Sequence, residues 1–335
     1  MITFHPTVSL LELGATLFGS APNPEKRLTE LFPGHHSILT DSGRSALAVI
    51  IEALHLEGTR MAVPAFLCTN LLPVLTHYRI EPVFIDSEPG TFQFHASSYA
   101  GAFQSALVVA TYGQMPDATL IETLERRSVR VIEDYAHVPL PNTPENFSRP
   151  RYYSIAKTLP APDGGIALLP REYAYEKTFP RAQWTPGFLK NTLKLWRVVA
   201  AFLFRVRILV HKTETQPPAW HGITAMASLS RRCLGRTLAK GSRFSPAPYA
   251  YCYPLLLSNP ERAQQTLFKN GIIAERIWNP IIAGAHNAHA FPNAYEKSNT
   301  TLCLPLWHID SDTALETYEK KLQNVLAGEF AGFRQ

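Results

Sequence analysis

Lys157 closes the tetrapeptide Ser154-Ile155-Ala156-Lys157, and the chain soon continues as Pro162-Asp163-Gly164-Gly165. A lysine amine can condense with an aldehyde and, once released, carry protons between carbon atoms of an adduct. A hydroxyl one turn earlier, Ser154, can hold a phosphate. Alone, Ser-x-x-Lys is a weak signal, because surface lysines beside serines are common. Asp134 lies 23 residues before Lys157 and ends an apolar run. Open α/β sheets place ligands at the carboxyl ends of such strands, where a carboxylate can pair with a ring nitrogen and keep it protonated. The same Asp could equally be a helix N-cap. Upstream, Asp41-Ser42-Gly43-Arg44-Ser45-Ala46-Leu47 opens a helix. The N–H groups of a helix N-terminus bind phosphate well, although an ordinary capped turn shares this pattern.

The elements that must position these groups alternate helix and strand in the manner of a parallel α/β sheet. Residues Ser45 to Leu54 read as a helix. Met61 to Val63 reads as a strand entering a turn at Pro64, then come a helix through Leu71 to Thr76 and the strand Pro82 to Ile85. The strand Ala106 to Ala110, a helix around Leu120 to Arg126 and the strand Val129 to Ile132 follow, the last running into Glu133 and Asp134. Short uninterrupted apolar runs of this kind mark strands covered on both faces. After a Pro/Asn loop from Pro139 to Pro150 come the segment Tyr152 to Lys157 and the strand Ile166 to Leu169. Gly187 to Lys212 has helical spacing. The Pro-rich stretch Ser245 to Tyr253 reads as a linker into a smaller α/β domain, which holds a helix from Pro260 to Asn270, a strand from Ile272 to Ile277 and a final helix from Asp312 to Val325. The chain thus divides into a large domain of residues 1–245 and a small one of residues 246–335.

Composition narrows the function classes. The 335 residues are 46% hydrophobic and 18% charged, enough to build a substantial core. The formal charge is +5, and the basic residues concentrate only around 190–212 and 231–243, which favours small anionic ligands over nucleic acid. Cys68, Cys233, Cys252 and Cys303 form no C-x-x-C pair, which fits a reducing cytoplasm and argues against a disulfide framework or structural zinc. His35-His36 and the pair His286 and His289 read as loop residues without an acidic partner at ligand spacing, so no metal site is expected. No secretory signal is read at the N-terminus, and the most apolar segment, Leu195 to Val210, is broken by Arg197, Arg205 and Arg207. The basic amphipathic helix from Lys190 to Lys212 has two readings. It packs its apolar face on the protein or a dimer partner, which we favour, or it lies on a membrane surface.

In order along the chain, SGRSAL, VPAFLCTN, EPVFID, TYGQMPD, VIEDYAH and SIAKTLPAPDGG resemble the DegT/DnrJ/StrS family of pyridoxal-5′-phosphate (PLP) aminotransferases. A weaker echo follows at GIIAERIWNP and LCLPLW. The resemblance implies fold type I, the aspartate-aminotransferase-like α/β fold. It implies that Gly43, Arg44, Ser45 and Ser154 hold the cofactor phosphate, that Asp134 meets the pyridine nitrogen and that Lys157 forms the Schiff base. His137 falls where the family usually has a glutamine near the phenolic oxygen. Cys68 falls where it usually has an aromatic stacked on the ring, so Phe66 supplies that face or the ring is covered differently. The family's Asn-x-Arg segment, which reaches the neighbouring subunit's cofactor, has no counterpart near His221 to Arg232.

The implied activity is transfer of an amino group from a donor such as glutamate to a keto acceptor, a nucleotide-linked sugar being the expected class, in a homodimer. Relatives that dehydrate sugars lack the Schiff-base lysine, and retention of Lys157 speaks against that branch. A non-catalytic or membrane-associated relative acting in glycan or natural-product assembly is the alternative.

Overall fold

A computed structural model describes residues 2, 23–94, 102–141, 144–159, 161, 163–173, 175, 251–284, 289–306 and 312–326. Asn23 caps the first helix, α1 (Pro24–Leu31), by accepting from the Glu25 N–H at 3.0 Å, and Pro24 at the first helical position has no N–H to leave unpaired. Strand β1 (His35–Thr40) leads through a tight turn into α2 (Gly43–Ala53). Then follow β2 (Arg60–Pro64), α3 (Leu72–His77) behind a 3-10 turn, β3 (Glu81–Ile85) and β4 (Ser105–Val109). Helix α4 (Ala118–Arg126) precedes β5 (Arg130–Asp134), and β6 (Arg151–Ser154) runs directly into the single turn α5 (Ile155–Thr158), followed by β7 (Gly165–Pro170).

These seven strands form one sheet in the order β1-β7-β6-β5-β4-β2-β3. β2 to β6 are mutually parallel, whereas β7 runs antiparallel to both its neighbours, so β1 points the same way as β6. Both faces are covered. Met61, Val63, Leu107, Val109 and Ile132 pack toward α2, while the alternate residues Ala62, Val83, Ile85, Ala106, Val108 and Val131 pack with Leu120, Ile121 and Leu124 of α4. The period of two along each strand thus puts an apolar residue on either side, which is why the strands read as unbroken apolar runs. The mostly parallel α/β sheet expected from the sequence is the one observed.

The later part of the chain adds β8 (Cys252–Leu256), α6 (Pro260–Lys269), α7 (Pro292–Thr300), β9 (Thr301–Pro305) and α8 (Asp312–Leu326). Two expectations change here. The expected strand Ile272 to Ile277 makes only single bridges, Ile272 to Ile2 and Glu275 to Cys303, whereas the paired strands are β8 and β9. The stretch read as a linker already enters β8 at Cys252. Pro254 hid it in the sequence, yet a proline is tolerated on an edge strand. Likewise His35-His36, read as loop, opens β1 and pairs with Leu169 and Pro170. The division at 245/246, Cys233, His286 and the helix from Lys190 to Lys212 lie outside the described residues.

Asp86, just past β3, ties this later part to the sheet. Its carboxylate accepts from the N–H groups of Asn293 (3.0 Å) and Ala294 (2.8 Å) in the first turn of α7, a helix whose own N-cap, Phe291, offers no side-chain bond. Lys297 on the same helix donates to the Glu88 carbonyl at 2.6 Å. A carboxylate at a helix N-terminus satisfies orphan donors and complements the dipole. Asp86→Ala is therefore expected to cost about 1–2 kcal/mol in urea unfolding, with Asp86→Asn recovering most of the loss.

Candidate functional site

Backbone hydrogen bonds stitch the turn between β1 and α2 to the β6–β7 region. Thr40 Oγ1 donates to the Ser42 carbonyl at 2.9 Å, and Ser42 Oγ caps α2 by accepting from the Ser45 N–H at 3.3 Å. The Ser42 and Ser45 hydroxyls both donate to Asp41 Oδ1. Gly164, with φ +123°, donates its N–H to the Asp41 carbonyl at 2.9 Å and accepts from the Ile155 N–H at 2.8 Å. Gly165 allows the closest approach, since a Cβ there would lie 2.3 Å from Ser42 O and 2.7 Å from Gly43 N. At Gly43 an added Cβ would meet Ser154 Cβ at 3.3 Å. The N-terminus of α2, with Gly43, Arg44 and Ser45, is thereby held against Ser154, and the first N–H groups of the helix together with that hydroxyl could receive an anion.

The strand ends supply the remaining groups. Asp134 ends β5 fully buried, and Ala136 N–H donates to its Oδ1 at 2.8 Å. Burial pushes its carboxyl above the usual range, and Lys157, the Tyr152 hydroxyl and the Ala136 N–H pull it part of the way back. Lys157 on α5 places Nζ 3.1 Å from His137 Nε2 and 6.0 Å from the centre of the Tyr251 ring. On the other side of that imidazole the Tyr112 N–H donates to Nδ1 at 3.1 Å.

Around His137 lies an aromatic enclosure drawn from segments distant in the chain. Tyr251 stacks on the imidazole at 4.4 Å and 15°, Trp278 lies near-parallel to it at 5.2 Å and Tyr112 at 5.8 Å. Phe66 is fully buried, stacked on Phe92 at 5.6 Å with Tyr112 and Trp278 edge-on. Cys68 is half-buried and lies near the Tyr152 and Tyr251 hydroxyls. Of the two residues considered for a ring face, Phe66 sits in this aromatic packing and Cys68 beside the tyrosines. Tyr112 and Trp278 fall in the TYGQMPD and GIIAERIWNP segments, the one sequence signal that could have flagged them; Tyr251 and Tyr152 had none.

Together these groups suit a ligand that carries a phosphate, a ring nitrogen and an aldehyde. The N-terminus of α2 could receive the phosphate, the buried Asp134 could receive a protonated ring nitrogen, and the Lys157 amine acts electrostatically on that same carboxylate. Among the described residues no group of three or more His, Cys, Asp or Glu side chains could hold a metal ion, and no helix is long and apolar enough to cross a membrane.

Residues 21–139 match the sequence profile of the DegT/DnrJ/EryC1/StrS aminotransferase family, a span that includes Gly43, Arg44, Ser45, Phe66, Cys68, Asp134 and His137 and ends before Ser154 and Lys157. No curated protein matches the chain in sequence. Solved structures match over nearly the full length. Spr1654 from Streptococcus pneumoniae, provisionally assigned as a sugar aminotransferase and solved in its PLP form, superposes with TM-score 0.66 at 16% identity, covering 98% of this chain and 99% of its own. The aminotransferase TlmJ from Streptoalloteichus hindustanus gives 0.63 at 19%, with 99% and 100% covered. The sugar aminotransferase CalS13 from Micromonospora echinospora gives 0.62 at 13%, with 97% and 100% covered. At these identities the likeness is one of fold, and the fold is type I, as the sequence resemblance implied.

Two outcomes follow from the geometry. Gly165→Ala forces a methyl group into the Ser42 carbonyl and is expected to destabilise the protein by at least about 3 kcal/mol in chemical unfolding, the upper end for overpacking, because backbone rather than a flexible side chain must move. Asp134 has a raised carboxyl pKa in the fold, so between its ordinary 3.8 and that raised value the folded state holds the proton more tightly. Its contribution to the stability of the ligand-free protein is complete below 3.8 and is lost as pH rises through the folded value. Asp134→Asn is therefore expected to raise the melting temperature of ligand-free protein at pH 7 and to leave it nearly unchanged at pH 3.5, as read by a thermal scan at each pH.

Proposed function

We propose that this chain, whose residues 21–139 carry the DegT/DnrJ/EryC1/StrS aminotransferase signature, is a PLP-dependent aminotransferase acting on a keto sugar. The observation that carries the reading is the placement of Lys157 Nζ 3.1 Å from His137 and in electrostatic reach of the buried Asp134, three residues after the Ser154 that meets Gly43. PLP supplies an aldehyde and an electron-withdrawing ring that stabilises negative charge at a substrate carbon. Gly43, Arg44, Ser45 and Ser154 hold its phosphate. Asp134 keeps the ring nitrogen protonated, and its burial makes that ion pair stronger than it would be in water. Lys157 would hold the aldehyde, and its Nζ would be the group that carries the proton. His137 faces the phenolic oxygen, and the aromatic residues around it exclude water.

The keto sugar is proposed because structures sharing this fold include proteins named as sugar aminotransferases. A nucleotide-linked sugar is the expected form of the acceptor, and glutamate the expected donor. Association as a homodimer belongs to the same proposal.

Purified protein is expected to bind added PLP with a visible absorption band, and borohydride reduction should fix the cofactor on the peptide that contains Lys157. Lys157→Ala should lose that adduct while retaining the fold. Asp134→Asn should slow the half-reaction with an amino donor by about a hundredfold, as for loss of a main electrostatic element. Wild-type protein that takes up no PLP in excess sinks the reading.

A further inference from the structure

Tyr112 does two things with its backbone at once. Its N–H donates to His137 Nδ1 at 3.1 Å, and its carbonyl accepts from the Tyr251 N–H at 3.2 Å. The Tyr251 ring in turn covers the His137 imidazole at 4.4 Å, so the three residues close a loop around one side chain. To do this Tyr112 adopts a left-handed conformation, φ 58° and ψ 9°, which a residue with a side chain enters at a cost of about 1–2 kcal/mol. Such strain persists only where the surroundings over-determine it. Here they do, because the Tyr112 ring is fully buried, stacked on Trp278 at 5.4 Å and edge-on to Phe92 at 4.9 Å.

A neutral imidazole has one N–H and one lone pair. A backbone N–H can only donate, so the nitrogen that receives it must present the lone pair. The hydrogen of His137 is then on Nε2, so across the 3.1 Å contact the imidazole is the donor and Lys157 Nζ has to offer a lone pair. We propose that Tyr112, through its backbone N–H, is a positioning residue that fixes His137 in the Nε2–H tautomer and so keeps a hydrogen-bond donor aimed at the site of Lys157. The opposite tautomer would set a lone pair there, which a Lys157 ammonium can fill, and leave the buried Tyr112 N–H unpaired at a cost of about 1–3 kcal/mol; the backbone N–H, unlike the lysine, cannot turn away to another partner. What the donor meets in the loaded protein rests on the function proposed above; the tautomer does not.

The same polarity can be supplied by an amide. A glutamine at 137 can accept from Tyr112 with its oxygen and donate with its NH2 group, whereas leucine can do neither. The test begins with PLP-free protein labelled with 15N at histidine. Two-bond proton–nitrogen spectra between pH 6 and 8 are expected to show His137 Nδ1 unprotonated and Nε2 protonated, with the assignment made from His137→Gln, which deletes the signals. Replacing the Tyr112 amide by an ester, which removes the N–H and keeps the side chain, should bring the Nδ1–H form to at least about a tenth of the population, whereas Tyr112→Phe should not. Protonated Nδ1 in the wild type, or an ester variant with an unchanged tautomer ratio, overturns the proposal.

In PLP-loaded protein the pH midpoint of the visible band is expected to rise by about one unit in His137→Leu, the size of one hydrogen bond, and to stay within a few tenths in His137→Gln. An unmoved midpoint in a folded His137→Leu protein sinks the donor role. Failure to bind PLP would end the aminotransferase reading, and the spectra of the PLP-free protein would still decide the tautomer.

Discussion

Over Gly165 the chain passes closer to itself than any side chain would permit. With no Cβ in the way, the Ser42 carbonyl and the Gly43 N–H lie on the backbone of β7, and the first turn of α2 comes to rest against Ser154. Were the turn raised by the height of a methyl group, the α2 N-terminus and the end of β6 would separate. The Gly164 N–H to Asp41 bond fixes the same junction from the other side. Because β6 passes without a loop into α5, the register that sets Ser154 also sets Lys157 one turn on. One steric allowance thus governs the spacing between the α2 N-terminus and the Lys157 amine.

Strand β5 shows how alternation assigns different work to like residues. Glu133 and Asp134 are adjacent buried carboxylates that point to opposite faces of the sheet. Glu133 meets Arg151 at 2.7 Å and Arg149 at 2.9 Å, while Arg151 is sandwiched between the rings of Tyr135 and Phe147. Its charge is neutralised by two guanidinium groups, and its role is to hold β5, β6 and the loop before β6 together. Asp134 has a lysine in electrostatic reach, one backbone N–H on Oδ1 and a neighbouring tyrosine hydroxyl, too little to offset complete burial. A charge left short of partners inside a protein costs stability until something cationic arrives, which is why such residues gather at functional sites.

Much of this was legible because parallel strands covered on both sides have to be apolar at every position, so β2 to β5 announced themselves. The polar residues that break those runs, Asp134 and the Ser154–Lys157 segment, stood out for the same reason. What stayed hidden depends on contacts distant in sequence. His35-His36 gave no apolar run, yet His35 is buried in β1 and stacks on Phe147 at 3.8 Å, so its burial comes from a ring far along the chain. Ile272 to Ile277 had the apolar content of a strand but finds only single-bridge partners, at Ile2 and Cys303. The cap of α7 could not be read at all, since its carboxylate comes from 207 residues away. The N-cap of α1 was readable, with Asn23 before Pro24, and went unread because the helix is only two turns long.

The aromatic enclosure is the part least accessible from sequence and the one that gives the polar groups their strength. Tyr112, Tyr251 and Trp278 come from a turn after β4, the start of β8 and a residue with φ +63°, and none has a periodicity that signals a shared wall. Gathered around His137, which is buried, they remove the water that would otherwise compete for its two nitrogens. In such surroundings a hydrogen bond is stronger and a wrongly oriented one more costly than at the surface. The strain in the Tyr112 backbone then has a physical reason: the ring must complete the wall while the N–H faces inward, and for an L-residue at this turn the left-handed region satisfies both. Tyr152 pays the converse penalty, with a buried hydroxyl that lies against Asp134 outside good hydrogen-bond geometry. At the carboxyl edge of the sheet the strained Tyr112 backbone and the under-paired Asp134 carboxylate with its tyrosine thus stand close to Lys157, where a ligand with a cationic ring nitrogen would relieve the carboxylate.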